Sequence, residues 1–213
     1  MYTQSIIHFP LPTKIVELRT ALLERNDAAN AGGTPHSLSV SMFTPEIAFI
    51  HRLRFESLAA IEAYQDKQRQ DAGFAAAMAK VSPCLARAQS GVLHEELIMT
   101  PAPGAGAPPK FSIANRVCPS AGNVGEVRAR IEERISKPQP GVLGVRLGIQ
   151  VGSPDGPAYR VQRLFASMAA IDEFRAAEAA DPSARDYYDT IASLCRVPGQ
   201  QRWNRILSPF PRK

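Results

Sequence analysis

FIHRLRFESLAAIEAYQ (residues 49–65) and YRVQRLFASMAAIDEFR (residues 159–175) are two versions of one segment. Phe55 corresponds to Phe165, Ser57 to Ser167, Ala59 and Ala60 to Ala169 and Ala170, Ile61 to Ile171, and Tyr64 to Phe174, at an offset of 110 residues. The offset persists from Val81 to Ile191 and from Leu97 to Leu207. Both versions then run into Pro-x-Pro, at Pro101-Ala102-Pro103 and Pro209-Phe210-Pro211. Self-similarity of this length means two copies of one fold. It divides the chain into domains at 1–103 and 111–213, joined at 104–110 by Pro, Gly and Ala that sustain neither helix nor central strand.

Working outward from the repeat, the periodicity switches between strand and helix in the same order in each copy. Ser5 to Phe9 reads as a strand that Pro10 and Pro12 end. Ile15, Leu18 and Leu22 fall at helical spacing, and the pattern dissolves at Asn30-Ala31-Gly32-Gly33. Leu38, Val40 and Met42 alternate with serines as a strand, and Ile47 to Phe55 is the next. Ser57 is placed to cap a helix carrying Leu58, Ile61 and Tyr64 on its inner side. A polar interruption, Gln65 to Gly73, precedes a second helical segment through Phe74, Met78, Val81 and Leu85. Val92 to Met99 closes the copy. The second copy repeats this plan. Phe111 to Val117 is a strand, Asn123 with Glu126 makes a capping-box-like start, and Val124, Val127, Ile131 and Ile135 form the helical stripe. Val145 to Val151 and Tyr159 to Phe165 flank a Ser153-Pro154-Asp155-Gly156 turn. Asp181-Pro182 starts the last helix, and Gln201 to Ser208 closes the copy.

The order β-α-β-β-α-β is the ferredoxin-like arrangement. The class is therefore α+β, with two tandem ferredoxin-like units forming an intramolecular pseudo-dimeric α+β barrel. Each unit is expected to offer an apolar outer sheet face, which pairing of the two would bury.

Composition excludes several classes. The 213 residues carry 45% hydrophobic and 21% charged side chains, as soluble globular chains do. No run approaches the ~20 apolar residues of a membrane span. MYTQSIIHFPLP lacks the basic and apolar regions of a signal peptide. Cys84, Cys118 and Cys195 have no metal-like spacing, and an odd number argues against a disulfide framework, so a cytoplasmic location is expected. Residues 1–105 hold nine Lys/Arg against ten Asp/Glu, and residues 106–213 sixteen against ten. Thirteen of those sixteen are Arg, whose planar fork suits carboxylates and phosphates. No like-charge block of the nucleic-acid-binding kind occurs.

In the first copy Pro12-Thr13-Lys14-Ile15 and His51-Arg52-Leu53-Arg54-Phe55-Glu56-Ser57-Leu58 resemble NIPSNAP-type domains of the dimeric α+β barrel superfamily. In the second the resemblance lies in Arg175-Ala176-Ala177, Asp181-Pro182 and Asn204-Arg205-Ile206-Leu207-Ser208-Pro209-Phe210. It departs at Val161 for His51, at Gln65 for Arg175, and at Phe74 and Ala184, where the family often has tryptophan. The resemblance implies a small-molecule pocket between sheet and helices. It leaves open a non-catalytic scaffold, and a cofactor-independent or haem-dependent monooxygenase-like enzyme. It names no cofactor, and it permits a homo-oligomer. An RNA-binding reading fails, because FIHRLRF and YRVQRLF lack the Gly-containing stacking pattern.

Walker loops, HExxH, paired CxxC and GxSxG are all missing from the sequence. Three groups of residues are candidates for chemistry. His8, His51 and His94 lie on strands that neighbour one another in a 4-1-3-2 sheet, so together they could ligate metal or haem. Their counterparts are Val117, Val161 and Asn204. His51-x-x-Arg54-Phe55 marks the first copy as the pocket carrier, with His51 and Arg54 binding ligand. In the second copy Arg163 alternates onto the face of Tyr159, Val161 and Phe165. An inward arginine there needs an anion, either a carboxylate such as Glu56 or Asp172 or a ligand that is itself anionic.

Overall fold

The computed structural model of the chain describes residues 1–101, 108–153, 155–197 and 199–211. Most of the expected 104–110 linker lies outside them. Among the described residues eight strands and six α-helices follow in order: β1 (Tyr2–His8), α1 (Ile15–Ala31), β2 (His36–Met42), β3 (Phe49–Phe55), α2 (Leu58–Gln70), α3 (Ala72–Val81), β4 (Ser90–Pro101), β5 (Phe111–Val117), α4 (Val124–Ser136), β6 (Val142–Val151), β7 (Tyr159–Phe165), α5 (Met168–Ala180), α6 (Pro182–Leu194) and β8 (Gln200–Ser208). The protein is α+β, and each copy is a ferredoxin-like βαββαβ unit. Within each copy the hydrogen-bonded strands run antiparallel in the expected 4-1-3-2 order, β4-β1-β3-β2 in the first and β8-β5-β7-β6 in the second. By contacts the chain forms two compact units, residues 1–94 with 204–213, and residues 95–203.

The repeat extends to details. Ser57 and Ser167 each accept from the N–H three residues on, Ala60 and Ala170, both at 3.1 Å. This satisfies one orphan donor of the helix start. The polar interruption expected across 65–73 is a single residue. Asp71 ends α2 and caps α3, accepting from Gly73 N at 2.8 Å, just as Asp181 accepts from Ser183 N at 2.9 Å. Charged and amide side chains on the exposed side of α2 read as a break because sequence alone does not show which side is solvated. The capping box at Asn123 does not form. Asn123 makes no side-chain cap bond, and its amide donates instead to the Leu194 carbonyl at 3.2 Å, tying the start of α4 to the end of α6.

Register decides the faces. Ile6 and Leu38 sit opposite His51, and His36 sits opposite Leu53. This side of the first sheet meets the helices: Leu38 and Phe49 pack with Leu18, Leu22 and Val81, and Leu53 and Phe55 pack with Ile61. In the second unit Val117, Val145, Leu147, Val161 and Phe165 pack with Val127, Ile131 and Ile171. The other face corrects the expectation of an apolar surface. It is buried but largely polar, carrying Thr3, Ser5, Ser37, Ser39 and Arg52 in the first unit and Ser112, Arg160 and Gln162 in the second. Arg52 donates to Ser39 Oγ at 2.7 Å, and Arg160 is ion-paired with Glu96. Alternation hides such a face inside strands that look apolar when read as a run. Among the described residues no helix is long and apolar enough to cross a membrane.

Candidate functional site

Two constellations stand out, one under the helices of each copy. In the second copy, Arg163 projects from β7 into the core side and is 2% exposed. Its Nε donates to Gln139 Oε1 at 2.6 Å, and its guanidinium lies 5.1 Å from the Phe174 ring centre. Gln139 is held in turn. Its amide nitrogen donates to the Arg134 carbonyl at 3.1 Å, which turns its oxygen toward Arg163. The loop carrying it closes at Gly141, whose φ is +73°, and a Cβ there would meet the Ala170 carbonyl oxygen at 2.2 Å. Only glycine fits that turn. No carboxylate forms an ion pair with Arg163 among the described residues, so neither Glu56 nor Asp172 is its partner.

Arg163 opens onto a cavity of about 280 Å³ between the sheet and α6, walled by Val117, Val161, Tyr187, Tyr188 and Ile191. Tyr187 and Tyr188 meet edge to face at 5.1 Å. Burial pushes the Tyr187 phenol up to about 12, against the pull of Arg163, so it stays protonated. Tyr188 is likewise pushed up, by burial first and then by the bond it donates to Glu178. Glu178 is itself engaged by Arg134 at 2.8 Å, and Arg134 also holds Asp181 at 2.8 Å. The cavity thus faces one guanidinium whose protein partners are an amide and a ring.

In the first copy His51 is fully buried, and its Nε2 meets His36 Nδ1 at 2.8 Å. His36 Nε2 meets the Tyr64 hydroxyl at 3.1 Å. Asn30, at the end of α1, clamps the His36 backbone, accepting from its N–H at 2.7 Å and donating to its carbonyl at 3.2 Å. The His8 ring centre lies 6.2 Å from that of His51, and Gln89 donates to His8 Nδ1 at 3.0 Å. That leaves His8 protonated on Nε2. His8 Nε2 and His51 Nδ1 are buried with no hydrogen-bond partner among the described residues. Burial, followed by the charge of Arg25, holds His8 and His36 down to about 4 and His51 well below the usual 6.5. The chain Tyr64–His36–His51 is therefore neutral near pH 7, and the imidazole tautomers set the direction of its two hydrogen bonds.

Of the residues singled out in the sequence, His8 and His51 come together, and His94 is buried on β4. The side chain bonded to His51 is instead His36, which stands at the start of a serine-rich strand with no local sign of what it meets. Among the described residues no group of three or more His, Cys, Asp or Glu is placed to hold a metal ion. His51 and Arg54 do not share a site. They differ by three on one strand and face opposite sides, and Arg54 stacks on Phe210 at 4.2 Å.

No family model matches the chain, and no curated protein matches it. Solved structures do. A candidate monooxygenase of Fusobacterium nucleatum subsp. nucleatum is 9% identical, with a TM-score of 0.75 over 100% of this chain and 97% of that one. A candidate monooxygenase of Lactobacillus acidophilus is 11% identical, with a TM-score of 0.67 over 99% and 98%. An anthrone oxidase-like protein is 10% identical, with a TM-score of 0.66 over 97% and 91%. At these identities the likeness shows the fold alone.

Proposed function

We propose that this protein binds a small anionic molecule in the second-copy cavity, with Arg163 receiving the anion. The observation that carries this reading is the buried guanidinium facing a cavity with no carboxylate paired to it. Guanidinium does not shed its proton, and a desolvated cation lacking a counter-charge is costly. An anion entering the cavity supplies that charge, with the Tyr187 phenol beside it. Thermal melts of wild type and Arg163→Leu, with and without benzoate, acetate or phosphate, test it. In the absence of ligand the variant melts at or above the wild-type temperature, since it removes an uncompensated charge and strands no acid. Only wild type gains from the anion, by about 2.7 kcal/mol at a hundredfold excess over Kd. The reading falls if no anion raises the wild-type melt.

A second reading rests on the hydrogen-bonded chain His51–His36–Tyr64, which suits proton transfer in an oxygenase-type reaction like that suggested by the names of the similar structures. Oxygen uptake with reduced polycyclic phenols measures it. Uptake lost in His51→Val supports the reading, and no uptake by wild type ends it.

A further inference from the structure

Beside the Arg163 cavity lies a second chamber of about 270 Å³, floored by Ile113, Phe174 and Trp203. The two chambers share Asn115, Tyr188 and Gln201 as walls. The shared wall is built rather than incidental. Gln201 donates to Asn115 Oδ1 at 3.1 Å and accepts from the Trp203 indole at 2.7 Å, which fixes the ring against the strand. Arg163 and Phe174, one from each chamber, lie 5.1 Å apart at the seam. The second chamber has a different chemistry from the first. Its carboxylate, Glu178, is already engaged by Arg134 and Tyr188, and its arginine, Arg175, lies 5.7 Å from the Trp203 ring centre. The aromatic and aliphatic surface it offers a ligand is that of Ile113, Phe174 and Trp203, with Arg175 at its edge.

We infer that the ligand is an elongated aryl acid, its carboxylate on Arg163 and its ring system in the chamber of Phe174 and Trp203. This rests on the anion-binding reading above and assigns the rest of the molecule. Either chamber alone falls just short of the roughly 300–1,000 Å³ of sites for drug-sized ligands, and the two together fall within it. Aromatic rings prefer offset or edge contact with other rings, which Phe174 and Trp203 supply on one side of the seam. The guanidinium supplies the one charge on the other.

Trp203 is the chain's single tryptophan, so the protein reports on its own second chamber. Calorimetric titration with benzoate and with 4-biphenylcarboxylate, alongside tryptophan emission, tests the inference in wild type and Arg163→Leu. The expected result is at least about tenfold tighter binding of the biphenyl acid. Emission should change with the biphenyl acid and not with benzoate, and both affinities should be lost in Arg163→Leu. If both acids bind equally, leave the emission unchanged and are lost in the variant, the two-chamber ligand is wrong and the anion site stands. If neither acid binds wild type, or the biphenyl acid binds the variant as well as wild type, the anion site itself is wrong.

Discussion

The register of the two sheets sets the copies side by side at four core positions. His8 matches Val117, His36 matches Val145, His51 matches Val161, and Leu53 matches Arg163. One copy has three imidazoles and a leucine where the other has three valines and an arginine. The contrast shows how burial treats different polar groups. An imidazole can go into a core by giving up its charge, and the first copy keeps His51 and His36 as a neutral chain with Tyr64 and His8 neutral beside them. A guanidinium cannot do so, and the second copy gives it an amide, an aromatic face and an open cavity. A second contrast lies on the helices. Arg134 is ion-paired with Glu178 and Asp181, whereas its counterpart Arg25 lies against Met78 and the Phe74 ring. The residue matching Glu178 in the first copy is Gln68.

Exchanging the exceptional residue is the hardest test of this comparison. Leu53→Arg places a cation in a fully buried site of the first copy, opposite His36, which already feels the charge of Arg25. The expected loss is about 5 kcal/mol, enough to leave the chain unfolded or nearly so in a denaturant titration. A variant as stable as wild type would mean that the two copies differ by accident at this position. The paired arginine comes next. Arg134→Leu strands Glu178, which is 15% exposed, and costs about 3 kcal/mol, toward the lower end for a buried pair because Asp181 is 38% exposed. Arg25→Leu strands no carboxylate and is expected to change stability by less than about 1 kcal/mol. Equal losses from the two variants would break the contrast.

The histidines give the copies different responses to acid. His8 and His36 titrate at about 4 in the folded state and near 6.5 when unfolded. Between those values the unfolded chain binds protons that the folded chain refuses, so stability present above pH 6.5 is lost as the pH falls toward 4. The slope approaches about 1.4 kcal/mol per pH unit for each such histidine. Replacing His8, His36 and His51 with the valines of the second copy should flatten the melting temperature across that range. A triple variant as acid-sensitive as wild type would assign the effect to other groups. A more local effect is expected at Asn30, where Asn30→Ala frees the His36 backbone and costs about 1–2 kcal/mol. Nitrogen-15 spectra of the imidazoles should then show mixed tautomers at His36.

Much of this molecule was legible in its chain. Phe111 to Val117 and Tyr159 to Phe165 form strands with the bounds their alternation implies, and Ser57 and Asp181 cap the helices they precede. Arg163 is inward because a residue two along from Val161 must share its face. His36 was not legible, since a histidine at the start of a serine-rich strand carries no local sign of what it meets. Nor was the joining of His51 to His36, fifteen residues away on the next strand. The polar buried face escaped for a similar reason. Thr3, Ser5, Ser37 and Ser39 look like ordinary solvent positions of amphipathic strands until something covers them.

Repetition and period are properties of the chain itself, and they determined the two-copy α+β plan and the side of the strand each residue occupies. Which polar groups meet, which are left without a counter-charge, and where space remains between helix and sheet are properties of register and packing. Those depend on contacts between residues far apart in the chain. Hence the sequence placed Arg163 inward and asked for an anion, and only the tertiary structure put Gln139, Phe174 and a cavity where a carboxylate could have been.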